Sequence, residues 1–401
     1  MDPVELAATS PVVSLDARRV SVGLWSSLLL LAAGHMAVDL CTGIWPVYKT
    51  MAKLDLSRAG VIATIAGIVG NGLQIVFGVM ADRGWRKVLL MGGLVLSGAV
   101  LLVPHAHALP VLSGLVLATS VGSAAFHPTA TGTASMLSTQ RSGVMVGVFL
   151  TGGYIGYALS QIAFTSVYRH TGGATELLLL VPLLTAAAVA SRVEPAPGRG
   201  GSLAAWKQAF AREWRSLGAL FCIQVCASAI NMGLVFLLPD FLLERGAPTW
   251  VLEGGGHAAF VLGGSLALLP SGYAADRLGA RGVLVAQNVV AGVLFAWLLF
   301  GVGTTWSELA VLAAFGAANG ANNVVLVSEG NRMLPGQASA VSALLMGLPW
   351  CVAAVAPAIV GRLAEPGHGG NTTSALGWLG ITIAGAFAAS LFVPKRRERI
   401  A

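Results

Sequence analysis

The chain has 401 residues, 56% of them hydrophobic and only 10% charged, and carries a formal net charge of +7 from 24 Lys and Arg against 17 Asp and Glu. An ordinary soluble domain is about 45–50% apolar and about 25% charged, so a water-soluble fold is excluded. The basic residues are scattered over short loops and form no single face with interleaved aromatics, which argues against nucleic acid as a partner.

The first 20 residues lack periodicity and read as a cytoplasmic tail. Apolar runs of roughly 20 residues, the length that crosses about 30 Å of hydrocarbon, then predict twelve spans. They fall at 21–48, 58–80, 87–104, 109–134, 142–168, 174–193, 214–242, 254–275, 282–302, 306–328, 338–361 and 373–394. The fold class is an all-α membrane protein of two pseudo-symmetric six-helix bundles, 21–193 and 214–394. Between them, 194–213 reads as a cytoplasmic linker that opens with the helix-breaking stretch Glu194-Pro-Ala-Pro-Gly-Arg-Gly-Gly201. Residues 203–215 follow as a short amphipathic helix on the inner membrane surface, and 395–401 form a basic tail. With both termini cytoplasmic, all Lys and Arg but six lie on the inner side; the exceptions are Lys49, Lys53, Arg58, Arg169, Arg245 and Arg362. Cys41, Cys222, Cys226 and Cys351 all sit in apolar runs, which indicates neither disulfides nor a zinc cluster.

One short signature occurs twice. Gly78-Val-Met-Ala-Asp82-Arg83-Gly84-Trp-Arg86-Lys87 and Gly272-Tyr-Ala-Ala-Asp276-Arg277-Leu-Gly279-Ala-Arg281 lie half a chain apart, each between two spans. Asp82, Arg83, Arg86, Asp276 and Arg277 are therefore gating candidates: a carboxylate in such a turn caps a helix or pairs with the neighbouring bundle, and the cations keep the loop cytoplasmic. Inside the spans, ionisable groups cost several kcal/mol unless they face a cavity or a partner, so each is a functional candidate. His35 and Asp39, four residues apart on one face of the first span, form an imidazole–carboxylate pair suited to taking up and releasing a proton as a unit. His127, just before Pro128 in the fourth span, serves substrate binding or proton relay, or else simply shapes the proline kink. Asn71, Gln74, Tyr154, Asn231, Asn319, Asn322 and Asn323 supply neutral polar and aromatic candidates for lining a substrate cavity, with helix–helix hydrogen bonding as the alternative role. Asp240, Glu244, Glu329 and Arg332 lie near span ends and read as gates or solvated termini, and His257 also falls near an outer end.

The Asp82-Arg83-Gly84-Trp-Arg86-Lys87 turn and its second copy resemble the cytoplasmic signature of the major facilitator superfamily, and the resemblance runs from about residue 21 to 394. A narrower set resembles that superfamily's fosmidomycin-resistance exporters: His35-Met-Ala-Val-Asp39, Ala125-Phe-His127-Pro128, Arg141-Ser-Gly143, Gly152-Gly153 with Gly156, and Leu334-Pro335-Gly336 with the Ser-rich run from Ser339 to Leu345. Thr129 departs from the pattern where those exporters carry Glu, as do Gly132, Leu150-Thr151 and Tyr154.

The resemblance implies a monomeric secondary transporter in a bacterial inner membrane. It would export a small polar or amphipathic compound such as an antibiotic by alternating access, with protons exchanged at His35 and Asp39. No cofactor is expected beyond the proton gradient, and the partners are the small-molecule substrate and the lipid bilayer. The alternative is export of a divalent metal or metal chelate held by His35, Asp39 and His127. No phosphate-binding loop, nucleophile turn or metal-protease helix occurs, so an enzyme is not expected.

Overall fold

A computed structural model describes residues 17–138, 142–193, 203–334, 341 and 343–395. Residues 1–16, the linker stretch 194–202, Arg141, the turn at Pro335-Gly336, the serines that follow it and the basic tail from 396 lie outside the described residues. The described chain is helical, as a segment in hydrocarbon must be if its backbone is to satisfy its own hydrogen bonds.

The N-terminal half contains α1 (Ala17–Thr42), α2 (Trp45–Met51), α3 (Leu56–Met80), α4 (Arg86–Ser97), α5 (Leu109–Met136), α6 (Ser142–Thr171) and α7 (Leu180–Arg192). The C-terminal half contains α8 (Leu203–Glu244), α9 (Gly256–Leu278), α10 (Ala280–Phe300), α11 (Thr305–Gly320) and α12 (Asn322–Met333). It ends with α13 (Leu348–Ala353), α14 (Ala356–Ala364) and α15 (Thr372–Ser390).

Among the described residues, eleven helical stretches are long and apolar enough to cross a membrane. One of them, Leu56–His105, has 50 residues. A straight helix of that length would reach about 75 Å, but the stretch breaks at Gly84, whose φ of 99° suits glycine alone, and continues as a separate arm. Gly279 (φ 91°) separates α9 from α10 within the second copy of the signature. α8 also bends, at Glu213: the arm 203–212 lies outside the membrane-length stretch Glu213–Glu244. Large apolar side chains such as Leu184, Leu266, Leu269 and Val293 point outward, as a lipid-facing surface requires.

The halves meet along the end opposite the Asp82 and Asp276 turns. There α3 lies against α13 and α14, α6 against α9, and α2 against α8. The contact is close enough that the Ala358 amide donates to Thr64 Oγ1 at 3.1 Å. The largest buried apolar cluster fills this end from both halves, with Trp45, Tyr48 and Phe164 on one side and Phe236, Phe241, Phe260 and Phe315 on the other.

Candidate functional site

Three titratable side chains converge inside the N-terminal half. His35 and Asp39 are one turn apart on α1, and His127 reaches them from α5. Asp39 Oδ2 lies 3.2 Å from His35 Nε2, and Oδ1 lies 3.1 Å from His127 Nε2. The other nitrogen of each ring is committed to a backbone carbonyl. His35 Nδ1 donates to Phe149 O at 3.0 Å, and His127 Nδ1 donates to Ser123 O at 2.8 Å with the Ser123 hydroxyl 3.0 Å away. A carbonyl oxygen only accepts, so both Nδ1 atoms carry a proton and the Nε2 atoms are left to exchange with Asp39.

Proton counting follows from this geometry. With two protons distributed over Asp39 and the two Nε2 atoms, both contacts are hydrogen bonds. With one proton fewer, a ring lone pair faces a carboxylate oxygen, and one contact opens.

Packing distinguishes the two rings. α6 approaches α1 closely because Gly152 and Gly156 rest on the backbone of Ala32 and Met36, which brings the Phe149 carbonyl to His35. The His35 ring then stacks on Phe149 (4.2 Å between centroids, 18° between planes), and Gly153 lies so close that a Cβ there would enter the ring. His35 is 5% exposed, whereas the His127 side chain is 25% exposed and meets His35 edge-on at 4.8 Å. His35 is fixed; His127 has room to move. His127 bonds the carbonyl one turn before it, not the Ala124 carbonyl whose amide partner Pro128 removes, so the kink does not account for its contacts. The Thr129 hydroxyl, at the position where a carboxylate was missing, is buried without a hydrogen-bond partner.

The same three donor atoms lie within 4.8 Å of one another. Two imidazoles anchored through Nδ1 to carbonyls, with a carboxylate between their Nε2 atoms, also make a chemically fit ligand set for a divalent first-row metal.

The other sequence-predicted residues are spread more widely. Tyr154, with Tyr157 on the same helix, lies within electrostatic reach of Asp39. On α3, Asn71 donates to Gly67 O at 2.8 Å and Gln74 donates to Asn71 at 3.1 Å. Asn231 is half-buried on α8, beside Met232, whose methyl group reaches Gly67 of α3 across the halves. The asparagines near the end of α11 are joined to helices of their own half. Asn319 donates to Ala227 O at 3.2 Å and Asn322 to Asn288 Oδ1 at 3.4 Å, both buried, while the Asn323 side-chain oxygen is buried without a partner. Helix–helix bonding thus describes Asn319 and Asn322 in this conformation.

At the two signature turns, the buried Arg86 binds Asp82 at 2.8 Å, and Arg332 of α12 pairs with Asp276 while lying 3.5 Å from Glu329. Both of these pairs lie within one half. Arg83 is exposed, and Arg277 lies over the Tyr273 ring at 5.0 Å.

The ion pairs that do cross the halves went largely unread in the sequence. Lys49, fully buried, pairs with Asp240 of α8 and lies 4.6 Å from the Phe236 ring centroid, and Thr50 Oγ1 donates to the same carboxylate at 2.9 Å. Arg169 of α6 grips Glu253, its Nε lying 2.8 Å from both carboxylate oxygens. His257 Nε2 donates to Tyr157 O at 2.8 Å, and Glu365 accepts from the Leu56 amide at 2.6 Å. In each ion pair the N-terminal half supplies the cation and the C-terminal half the carboxylate. Lys49 and Arg169 are two of the six cations that the sequence reading leaves off the cytoplasmic side, and Asp240 reads there as a gate or solvated span end; Glu253 is not singled out, and neither pairing is.

The sequence profile of the Major Facilitator Superfamily matches residues 24–324. An uncharacterized MFS-type transporter, YfnC of Bacillus subtilis, is 22% identical over 90% of this chain and 91% of its own length. The fosmidomycin resistance protein of Escherichia coli is 22% identical over 90% of each chain. A solved bacterial homolog of the human lysosomal transporter Spinster, inward-facing and unoccupied, superposes with a TM-score of 0.73 at 15% identity, over 93% of this chain and 97% of its own.

Proposed function

This chain belongs to the Major Facilitator Superfamily, a family of membrane transporters, and on that premise we propose that it is a proton-coupled exporter of a small polar or amphipathic compound. The two halves rock about the site to open it to either side in turn. With the Asp82 and Asp276 turns assigned to the cytoplasmic end, halves clamped at the Lys49–Asp240 and Arg169–Glu253 end correspond to an inward-facing form. The observation that carries the reading is the single carboxylate of Asp39 suspended between two imidazoles whose far nitrogens are both committed. Loss of one proton breaks the contact to His127, the freer ring, and uncouples α1 from α5. That bond reports the protonation state to the helices around the cavity, and the half-buried Asn71, Gln74, Tyr154 and Asn231 provide neutral contacts for the substrate. An antibiotic as cargo is supported by similarity to the fosmidomycin resistance protein, and an inner-membrane location with both termini inside by the distribution of Lys and Arg.

The test uses everted membrane vesicles holding a pH-sensitive dye and a preset proton gradient. Addition of fosmidomycin or another transported antibiotic should release protons with the wild-type protein but not with Asp39→Asn. Transport that continues with the same pH dependence in Asp39→Asn overturns the coupling.

A second reading rests on the mutual distances of the same donor atoms: the cargo is a divalent metal or its chelate. Zn²⁺ or Mn²⁺ would then raise the melting temperature of the wild-type protein, and the shift would vanish in His127→Ala. Absence of any shift with divalent ions removes this reading.

A further inference from the structure

The second copy of the signature turn differs from the first in what it does with its basic side chains. In the first copy, Arg86 is buried and committed to Asp82, to the Ala81 carbonyl and to the Met136 sulfur. In the second, the equivalent position is Ala280, and the cation one residue further on, Arg281, has neither an ion-pair nor a hydrogen-bond partner among the described residues. Arg281 lines an open groove of roughly 360 Å³ between the α9–α10 turn and the end of α15, together with Leu278, Gly279, Gly282, Val285, Leu391 and Lys395.

Four further features converge on this groove. α10 starts there without a side-chain cap on its first amides, so unsatisfied N–H groups and the positive end of the helix dipole face the groove. Gly282 leaves open space where a side chain would stand. At the far wall, carbonyls ending α15 are taken by its own turn, since the amides of Leu391, Phe392 and Val393 donate to Ala388, Ala389 and Ser390. The apolar rim is exposed: Leu278 is 77% and Leu391 42% accessible at a level where spans end and headgroups begin.

We propose that this groove holds the phosphate headgroup of an anionic phospholipid from the leaflet bordering the Asp82 and Asp276 turns. Arg281, Lys395 and the first amides of α10 meet the phosphate, while Leu278, Val285 and Leu391 lie against the acyl chains. Basic pockets between membrane helices are suited to such headgroups, and Arg281 would gain in an oxyanion the partner it lacks among the described residues. The bound lipid would pin α15 to the α9–α10 turn, giving the C-terminal half the tie that Arg86 and Asp82 make internally in the N-terminal half.

The test is native mass spectrometry of the full-length protein in detergent, titrated separately with phosphatidylglycerol, phosphatidylcholine and glycerol 1-phosphate. The wild-type protein should retain phosphatidylglycerol in preference to phosphatidylcholine, and Arg281→Gln should weaken retention about fivefold. Gly282→Leu, which fills the groove and changes no charge, should weaken it as well at an unchanged melting temperature. Equal retention of phosphatidylglycerol by the wild type and both variants overturns the site, and so does equal retention of the two lipids. Retention of glycerol 1-phosphate as strong as that of phosphatidylglycerol overturns the lipid as occupant in favour of a soluble phosphate.

Discussion

The centres of the two halves are built from different chemistry. In the N-terminal half, Asp39, His35 and His127 form a titratable cluster in which each nitrogen and each carboxylate oxygen faces a partner. In the C-terminal half, the corresponding interior is held by amides and hydroxyls: Asn319 to Ala227, Asn322 to Asn288, Asn288 to Ser390, and Gln224 to Ser228. None of those groups changes charge, and several side-chain oxygens there, including Gln224 Oε1 and Asn322 Oδ1, are buried without a partner. Under the proposed proton coupling, the difference becomes a division of labour: one half senses protons, and the other supplies the uncharged interior against which it moves.

The sharpest break in that comparison is Asp39→Asn, which keeps the shape but removes the only carboxylate in the cluster; pH-driven transport should fall about 100-fold, read as substrate flux against an imposed gradient. Next comes the clamp. Lys49→Met leaves Asp240 without its cation and should cost the clamped end about 3 kcal/mol, seen as a longer spin-label distance between α3 and α14. Gly153→Ala tests whether packing sets the proton site from within α6. A methyl group pressed into the His35 ring should lower stability by about 1–3 kcal/mol in a thermal melt and weaken pH dependence while leaving the clamp residues intact. The smallest effect belongs to the neutral half: Asn319→Ala should lower stability by about 1 kcal/mol and leave the pH profile of transport unchanged. A shifted profile in Asn319→Ala would mean that the C-terminal half takes part in coupling.

Much of the architecture is legible in the sequence because span length, loop charge and the repeated turn are local patterns. The His35–Asp39 pair is legible for the same reason, since four residues on a helix always share a face. His127 is conspicuous as an intramembrane imidazole, but its position on Asp39, 88 residues away in sequence, depends on how α5 packs against α1. At that contact Gly34 of α1 leaves room for the Phe126 ring of α5, a match that spacing along the chain does not reveal. The asparagines near the end of α11 show the converse limit: periodicity identifies their shared face but not whether it meets a cavity or a neighbouring helix, and Asn319 and Asn322 meet neighbours. The clamp leaves local traces, lysine and arginine where positive charge is disfavoured and an aspartate at a span end, but no sign of which pairs with which. Lys49 and Asp240 are 191 residues apart, so only the fold pairs them.

The most direct test of proton sensing needs no knowledge of the substrate. Spin labels on α6 and α9 at the clamped end, in liposomes titrated from pH 5 to pH 9, report whether the balance between clamped and open forms follows protonation. The account predicts a pH-dependent shift in the wild-type protein that is abolished in Asp39→Asn and reduced in His127→Gln. A wild-type distance distribution that does not move with pH, or one that moves equally in Asp39→Asn, would contradict it.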